Sequence, residues 1–171
     1  MTVTAHLPDA MPDITSKTLL VVCDSHHCVL ADVGGHTIMQ KEVIKSSEDH
    51  ATDRPGSKMS PSGTNVSLGE HSEVEENRLR TFASAISKAI DTAVASQGIE
   101  EIFISAPGKF LSILKKHLST SAEKMLVSTA DGNYVKEPLV EVLMRFRPDL
   151  KEGLSALRDM ENYSSKKHLP K

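Results

Sequence analysis

Apolar residues near the start of the chain occur in three short runs that follow one another closely. The runs are KTLLVVC, CVLADV and HTIMQKEVI, and the links between them are DSHH and VGGH. Short runs rich in β-branched residues and bounded by turn residues are typical of strands. Gly34 and Gly35 can take the positive φ angles that tight hairpin turns require. The pattern therefore predicts an antiparallel meander of three strands.

The rest of the chain alternates between helical and strand periods. SEVEENRLRTFASAISKAIDTAVASQG has apolar residues three and four positions apart, with Ser72 as a candidate N-cap, and predicts a long amphipathic helix. EEIFISA and EKMLVST predict buried strands, whereas PGKFLSILKKHLS and KEPLVEVLMRF predict helices. Strands joined by helices pair in parallel through right-handed crossovers. The order predicts an α/β fold, a ribonuclease H-like sandwich in which the three-stranded antiparallel meander precedes alternating helices and parallel strands.

Segments without a periodic pattern divide the chain. Residues 1–16 contain two prolines and no sustained period, and they predict a flexible N-terminal arm. Residues 17–147 form the predicted α/β domain, and residues 148–171 form a C-terminal helix and tail. Within the domain, residues 46–71 are rich in Ser, Gly, Pro and charge, and predict a long exposed loop. Loops of this length are either functional or disordered, and both alternatives stay open.

The charge balance excludes a broadly cationic surface. The chain has 20 Lys and Arg against 23 Asp and Glu, a formal charge of -3, so any binding of nucleic acid or anionic lipid has to be local. The longest apolar run, TLLVV, is far shorter than the ~20 residues that span a bilayer. The N-terminus lacks the basic-then-apolar order of a secretory signal. We therefore expect a cytoplasmic protein without membrane insertion. Its two cysteines, Cys23 and Cys28, are expected to be reduced, and the alternative is a disulfide across the neck of the hairpin.

The stretch CDSHHC contains four candidate metal ligands, Cys23, His26, His27 and Cys28. Zinc takes about four thiolate or imidazole ligands in a tetrahedral array. Adjacent residues of a tight hairpin point to opposite faces, so six consecutive residues cannot easily converge on one ion. We expect a polar hairpin turn without a metal, and the alternative is a zinc site completed by another chain.

Catalytic groups are sparse. Asp24 ends the first strand of the meander, where a two-metal nuclease would place a carboxylate, but the strand EIFISA ends in Ser105 and Ala106 and offers no second one. The order of residues identifies no nucleophile and base pair. We therefore predict no catalytic residues and no cofactor.

The long loop contains the motif DRPG, which has two interpretations. Pro and Gly at its centre favour a simple turn with solvated charges. Alternatively, the loop contacts an anionic or polar partner. The candidate partner-binding residues of this region are Asp53, Arg54, Pro55, Gly56, Lys58 and, at the end of the loop, His71.

A second candidate contact lies in the turn APGKF, between a predicted strand and a predicted helix. Gly108 and Lys109 would lie at the carboxyl edge of the parallel strands, where α/β folds bind ligands and where free helix N–H groups suit an anion. The turn lacks the repeated glycines of a phosphate loop. A structural turn and an anion contact both stay open.

Several of these runs resemble the bacterial host-attachment protein family, described as proteins required for attachment to host cells. They are TLLVVCDSHHCVLADVGG, DRPGSKMSPSG, FASAISKAI and EEIFISAPGKFLSILKKHLS, and the similarity spans about residues 17–147. DRPG and APGKFLSILKKHLS are the most specific pieces. After Ser128 the chain departs from the KDLT-like segment that family members commonly carry.

That family is in turn similar to the middle domain of archaeal and eukaryotic peptide-chain release factors. Those factors place a Gly-Gly-Gln tripeptide in the loop before the long helix, which corresponds here to residues 46–72. The chain has no such tripeptide, and its only glutamines are Gln40 and Gln97. The resemblance therefore implies a related fold without peptidyl-tRNA hydrolysis by that mechanism.

Taken with the missing catalytic groups, the resemblance implies a non-catalytic binding module. Two roles remain open: association with the ribosome or tRNA, and attachment to host cells through a protein or glycan partner. A small hydrolase of unknown substrate is a third interpretation.

Overall fold

The computed structural model describes residues 3–47 and 68–166, without the side chains of residues 68–71 and 161–166. Within these ranges the chain forms six strands and five helices. The strands are β1 Thr4–His6, β2 Ile14–Cys23, β3 His27–Gly35, β4 Thr37–Lys45, β5 Glu101–Ala106 and β6 Leu126–Asp131. The helices are α1 Leu68–Gln97, α2 Gly108–His117, α3 Thr120–Met125, α4 Leu139–Phe146 and α5 Pro148–Lys166.

The strands form one mixed sheet in the order β1-β4-β3-β2-β5-β6. Strands β1 to β4 pair antiparallel, whereas β5 pairs parallel to β2 and to β6. The structure confirms the predicted meander, which is β2 to β4, and the two parallel strands that follow it.

Helices cover both faces of the sheet, and β2 shows why the sequence there is apolar without alternation. Leu19 and Val21 belong to the core formed with α1, α2 and α3, whereas Leu20 and Val22 belong to the core formed with α4 and α5. A strand buried on both faces carries apolar residues at every position.

The N-terminal segment corrects the predicted flexible arm over residues 1–16. Strand β1 pairs with β4, and the Leu7 backbone N–H donates to the His36 carbonyl at 2.7 Å. Leu7, Met11 and Ile14 are buried in the core on the α4 and α5 side. These apolar residues are spaced irregularly around two prolines, so no period revealed them.

Two boundaries also differ from prediction. Residues 120–125, predicted partly as strand, form the short helix α3, whose N-cap is Ser119: its hydroxyl accepts the Ala122 N–H at 3.1 Å. Helix α1 begins at Leu68 rather than near Ser72, so the predicted loop over 46–71 overlaps its first turn. Among the helices that the structure describes, none combines the length and the apolar content needed to cross a membrane.

Candidate functional site

The carboxyl ends of the parallel strands meet at one edge of the sheet. The β2–β3 turn follows β2, Pro107 follows β5, and Gly132 follows β6. The Gly132 N–H donates to the Ala106 carbonyl at 3.1 Å and holds the ends of β5 and β6 together. Because α/β sheets bind ligands at this edge, it is the candidate functional site. We call it the carboxyl edge.

The β2–β3 turn is closed by the carboxylate of Asp24. Its Oδ1 accepts the N–H groups of His26 at 2.7 Å and His27 at 2.6 Å, and the Asp24 N–H donates to the His27 carbonyl at 2.8 Å. An aspartate that bonds backbone groups two and three residues on is a turn-forming residue. Asp24 therefore forms part of the hairpin turn.

The four candidate metal ligands of this turn do not converge. The thiols of Cys23 and Cys28 are buried in the core beneath α1, whereas the rings of His26 and His27 are exposed. The His26 Nδ1 lies 2.9 Å from the Ser25 hydroxyl and the His27 Nδ1 lies 3.6 Å from Asp24. Among the described residues, no group of three or more His, Cys, Asp or Glu could hold a metal.

Arg78 of α1 joins three segments at the carboxyl edge. Its Nη1 donates to the Ser25 carbonyl at 2.9 Å and to the Ser46 hydroxyl at 2.8 Å. Its Nε and Nη2 donate to the two carboxylate oxygens of Glu75 at 3.1 and 2.6 Å. The Arg78 side chain is only 9% exposed. One guanidinium thus ties α1 to the β2–β3 turn and to the end of β4, where the chain leaves toward residues 48–67.

Glu75 shows the electrostatic character of this edge. The hydrogen bond from Arg78 lowers the pKa of the Glu75 carboxyl, and the nearby His26 and Lys109 lower it further. Lys109 lies on the first turn of α2 and is exposed. Charged side chains of α1 and α2 therefore stabilise the ionised form of the Glu75 carboxyl.

The N-terminus of α2 is occupied by a carboxylate of the chain itself. A Cβ atom placed on Gly108 would lie 2.8 Å from the Asp131 Oδ2, so the absence of a side chain lets Asp131 come close. The N-cap residue, Pro107, makes no side-chain capping bond, and the first turn has no acidic residue. Asp131 therefore places a negative charge close to the N-terminus of α2, where the helix dipole favours it.

The structure places few of the candidate partner-binding residues. Asp53, Arg54, Pro55, Gly56 and Lys58 lie outside the described residues, and so does the side chain of His71, whose backbone is in α1. Gly108 and Lys109 lie at the carboxyl edge. Sequence reasoning missed Arg78, although its spacing of three from Glu75 on a helix indicates a pair. The hydrogen bonds of Arg78 to Ser25 and Ser46 depend on tertiary structure, so no pattern in the sequence indicates them.

Comparison with known proteins gives a family and a fold. A family model described as bacterial archaeo-eukaryotic release factor family 12 matches residues 17–145. Among curated proteins, none matches the chain.

Solved structures resemble the chain at low sequence identity. The archaeal translation termination factor aRF1 has 8% identity and a TM-score of 0.52, over 86% of this chain and 39% of that one. A structure described as an archaeal protein has 10% identity and a TM-score of 0.51 over the same shares. Dom34 of S. cerevisiae, described as a translation termination-like factor involved in RNA quality control pathways and interacting with Hbs1, has 15% identity and a TM-score of 0.47, over 90% of this chain and 42% of that one. The chain thus spans about two fifths of the length of these structures. For the two archaeal structures, at identities of 8% and 10%, the likeness concerns the fold alone.

Proposed function

The chain belongs to bacterial archaeo-eukaryotic release factor family 12, and from this premise we propose that it is a non-catalytic binding module that associates with the ribosome or tRNA in the cytoplasm. Its strand order leads us to keep the ribonuclease H-like description of the fold as part of the proposal. Fold alone carries little functional weight, so the argument depends on the carboxyl edge.

The observation that carries the proposal is the charge of α2. Its sequence, GKFLSILKKH, holds four basic residues and no acidic one in a chain whose formal charge is -3. Lys109, Lys115 and Lys116 are exposed. The helix begins at the carboxyl edge, where β4 also ends at Lys45. A local cationic surface of this kind suits the phosphate backbone of RNA.

The carboxylates at this edge argue against hydrolysis. Asp24 closes the β2–β3 turn, and Asp131 lies against the N-terminus of α2. The chain also lacks the Gly-Gly-Gln tripeptide that release factors place before their long helix. A small hydrolase is therefore the weaker interpretation.

The alternative of attachment to host cells has no support from the matching family model, whose description names release factors. No feature of the described residues favours a glycan or protein partner over RNA. We keep this role as an outcome of the experiment below.

Co-sedimentation with ribosomes at several salt concentrations tests the proposal. We expect wild-type protein to co-sediment and Arg54→Ala/Lys109→Ala to bind more weakly, because each lost phosphate contact lowers the slope of log affinity against log salt by about 0.7 to 0.9. The Lys109 substitution should change thermal stability little, because Lys109 is exposed and exposed charges contribute little to folding.

Lys151→Ala is the matched control, because Lys151 is an exposed lysine on α5, on the opposite face of the sheet. It should bind as wild type does. Failure of the wild-type protein to co-sediment with ribosomes at low salt would refute association with the ribosome. Binding of transfer RNA, measured over the same salt concentrations, would then decide the proposal. Capture of neither RNA, with binding to host surface material instead, would favour the attachment role.

A further inference from the structure

The two cysteines of the chain face each other across the β2–β3 hairpin. Cys23 is paired in register with Cys28, both side chains are fully buried, and the two Sγ atoms lie 2.6 Å apart. These are the chain's only cysteines. The proposed function does not use them, and they carry an inference that is independent of it.

The backbone geometry of this pair suits a covalent link. The Asp24 N–H bonds the His27 carbonyl, so residues 24 and 27 form a hydrogen-bonded pair. In an antiparallel ladder the next pair, Cys23 and Cys28, is then of the non-hydrogen-bonded kind, with Cα atoms about 4.5 Å apart. Disulfides form when the Cα atoms are about 4.4 to 6.8 Å apart. Both side chains also point to the same face of the sheet, into the core beneath α1.

We propose that Cys23 and Cys28 are a redox site that forms a reversible intramolecular disulfide with a low-molecular-weight disulfide as oxidant. One cysteine thiolate attacks a sulfur of the oxidant and releases one thiol, leaving a mixed disulfide on the protein. The second cysteine thiolate then attacks the protein sulfur of that mixed disulfide and releases the second thiol. The protein loses two hydrogens, and the oxidant is reduced to two thiols, so atoms and electrons balance.

Burial of the two thiols slows formation of the disulfide but does not make the disulfide less stable. Burial and the hydrogen bond with Cys23 raise the pKa of the Cys28 thiol, and only a thiolate attacks a disulfide. The adjoining turn is exposed at His26 and His27, so opening of the hairpin end gives the oxidant access. Once one cysteine has formed the mixed disulfide, the sulfur of the other is already in contact with it, so ring closure with release of the second thiol is favoured over persistence of the mixed disulfide.

The linked position is next to the anchor of the carboxyl edge. The Ser25 carbonyl accepts a hydrogen bond from Arg78, and only Asp24 separates Ser25 from Cys23 in the sequence. A disulfide here would close a ring of only six residues, so its expected effect is local restraint of the turn that Arg78 bonds. Oxidation of Cys23 and Cys28 would thereby reduce the mobility of the β2–β3 turn, which Arg78 links to α1 and to the end of β4.

Equilibration of the full chain in glutathione buffers tests the proposal. The protein is brought to equilibrium from the reduced and from the oxidised side, with and without denaturant, then acid-quenched and weighed intact. We expect a species lighter by two hydrogens. In the native protein it should be half-formed at a ratio of oxidised glutathione to the square of reduced glutathione about tenfold lower than in the denatured chain. The native fold favours the disulfide only if it holds the thiols in bonding geometry. An equal or higher ratio for the native protein would overturn the proposal, as would products that are only mixed or intermolecular disulfides.

Localisation is direct, because trypsin releases both cysteines in one peptide, residues 18–41. The variant Cys28→Ser must lose the two-hydrogen change and form at most a mixed disulfide. Persistence of the change in this variant would show that it arises elsewhere and would refute the assignment. The native and denatured wild-type chains carry the main test, so it does not depend on how the variant folds.

Discussion

At the residue scale, two arginines two positions apart on α1 illustrate how burial changes the value of the same side chain. Arg78 is almost buried and bonds Glu75, Ser25 and Ser46. Arg80 is 58% exposed, and its one partner among the residues that the structure describes is Glu76. A guanidinium offers donors in a planar fork, which an ammonium group cannot reproduce. The three-way contact of Arg78 therefore depends on arginine itself.

We expect Arg78→Ala to lower the free energy of unfolding by about 2 to 3 kcal/mol, because it leaves the Ser25 carbonyl and Ser46 hydroxyl without this charged donor. Arg78→Lys should recover only part of the loss. Arg80→Ala is the matched control and should cost about 0.5 kcal/mol or less, as for an exposed pair four residues apart. Urea unfolding measures all three, and equal losses for Arg78→Ala and Arg80→Ala would contradict the anchoring role.

Ser105 gives a second prediction at this scale. Its hydroxyl is fully buried and has no hydrogen-bond partner among the described residues, whereas the buried Ser87 hydroxyl donates to the His117 carbonyl at 2.6 Å. Ser105→Ala should raise the free energy of unfolding by about 1 kcal/mol, because it removes an unpaired polar group, and Ser87→Ala should lower it by about 1 kcal/mol. Chemical denaturation of both variants checks the sign. A loss of stability in Ser105→Ala equal to that of Ser87→Ala would show that its hydroxyl has a partner.

At the element scale, polar side chains lie at or beside the first turns of three helices. Helix α3 starts after the N-cap Ser119, and α2 starts beside the carboxylate of Asp131. The first turn of α5 contains Asp149, which accepts two hydrogen bonds from the Arg147 guanidinium at 3.0 and 2.8 Å. Acidic groups at these positions also interact favourably with the helix dipole.

The pair at the start of α5 predicts a dependence of stability on pH. The bond from Arg147 lowers the pKa of the Asp149 carboxyl. Because the folded value is depressed, the contribution is present above the ordinary carboxyl pKa of about 3.9 and is lost as pH falls through the folded value. Asp149 is nearly half exposed, so the effect should be below about 1 kcal/mol.

The variant Asp149→Asn makes this measurable. Its stability should fall short of wild type at pH 6, and the difference should shrink as the solution is acidified below pH 4. Thermal unfolding across this range gives the profile, with the exposed Asp159→Asn as control. A difference that is independent of pH would attribute the effect to packing or helix propensity instead.

At the scale of the whole molecule, the N-terminal segment completes both the sheet and one core. Strand β1 extends the sheet beyond β4, and Leu7 and Met11 are 3% and 4% exposed against the α4 and α5 side. Residues that the sequence pattern assigned to a flexible arm thus belong to the folded unit.

We expect Leu7→Ala to lower the free energy of unfolding by about 2 to 4 kcal/mol, as for other buried leucines truncated to alanine. Val3→Ala, at a position 55% exposed on the same segment, should change stability by about 0.5 kcal/mol or less. Urea unfolding of the pair decides between the two descriptions, because a flexible arm would leave both variants as stable as wild type.

The sequence by itself determined the elements whose period was sustained. The apolar spacing of α1, the valine-rich run of β2 and the glycine pair at 34 and 35 predicted the meander, the long helix and the parallel strands, because each pattern is written in neighbouring residues. Of the two glycines, only Gly35 has a positive φ, 57°, because Gly34 is still paired with Thr37 in the β3–β4 ladder. It also located the APGK turn at the carboxyl edge, since parallel strands end on the same side.

Tertiary structure decided what depends on residues far apart in the chain. Leu7 and Met11 are buried because β4 and α5 lie over them, and Asp131 meets Gly108 because β5 and β6 are paired. Arg78 joins Ser25 and Ser46, which lie 53 and 32 positions away. A linear pattern reports the period of one element, whereas these contacts are fixed only when the sheet and its helices pack, and that is why the sequence left them open.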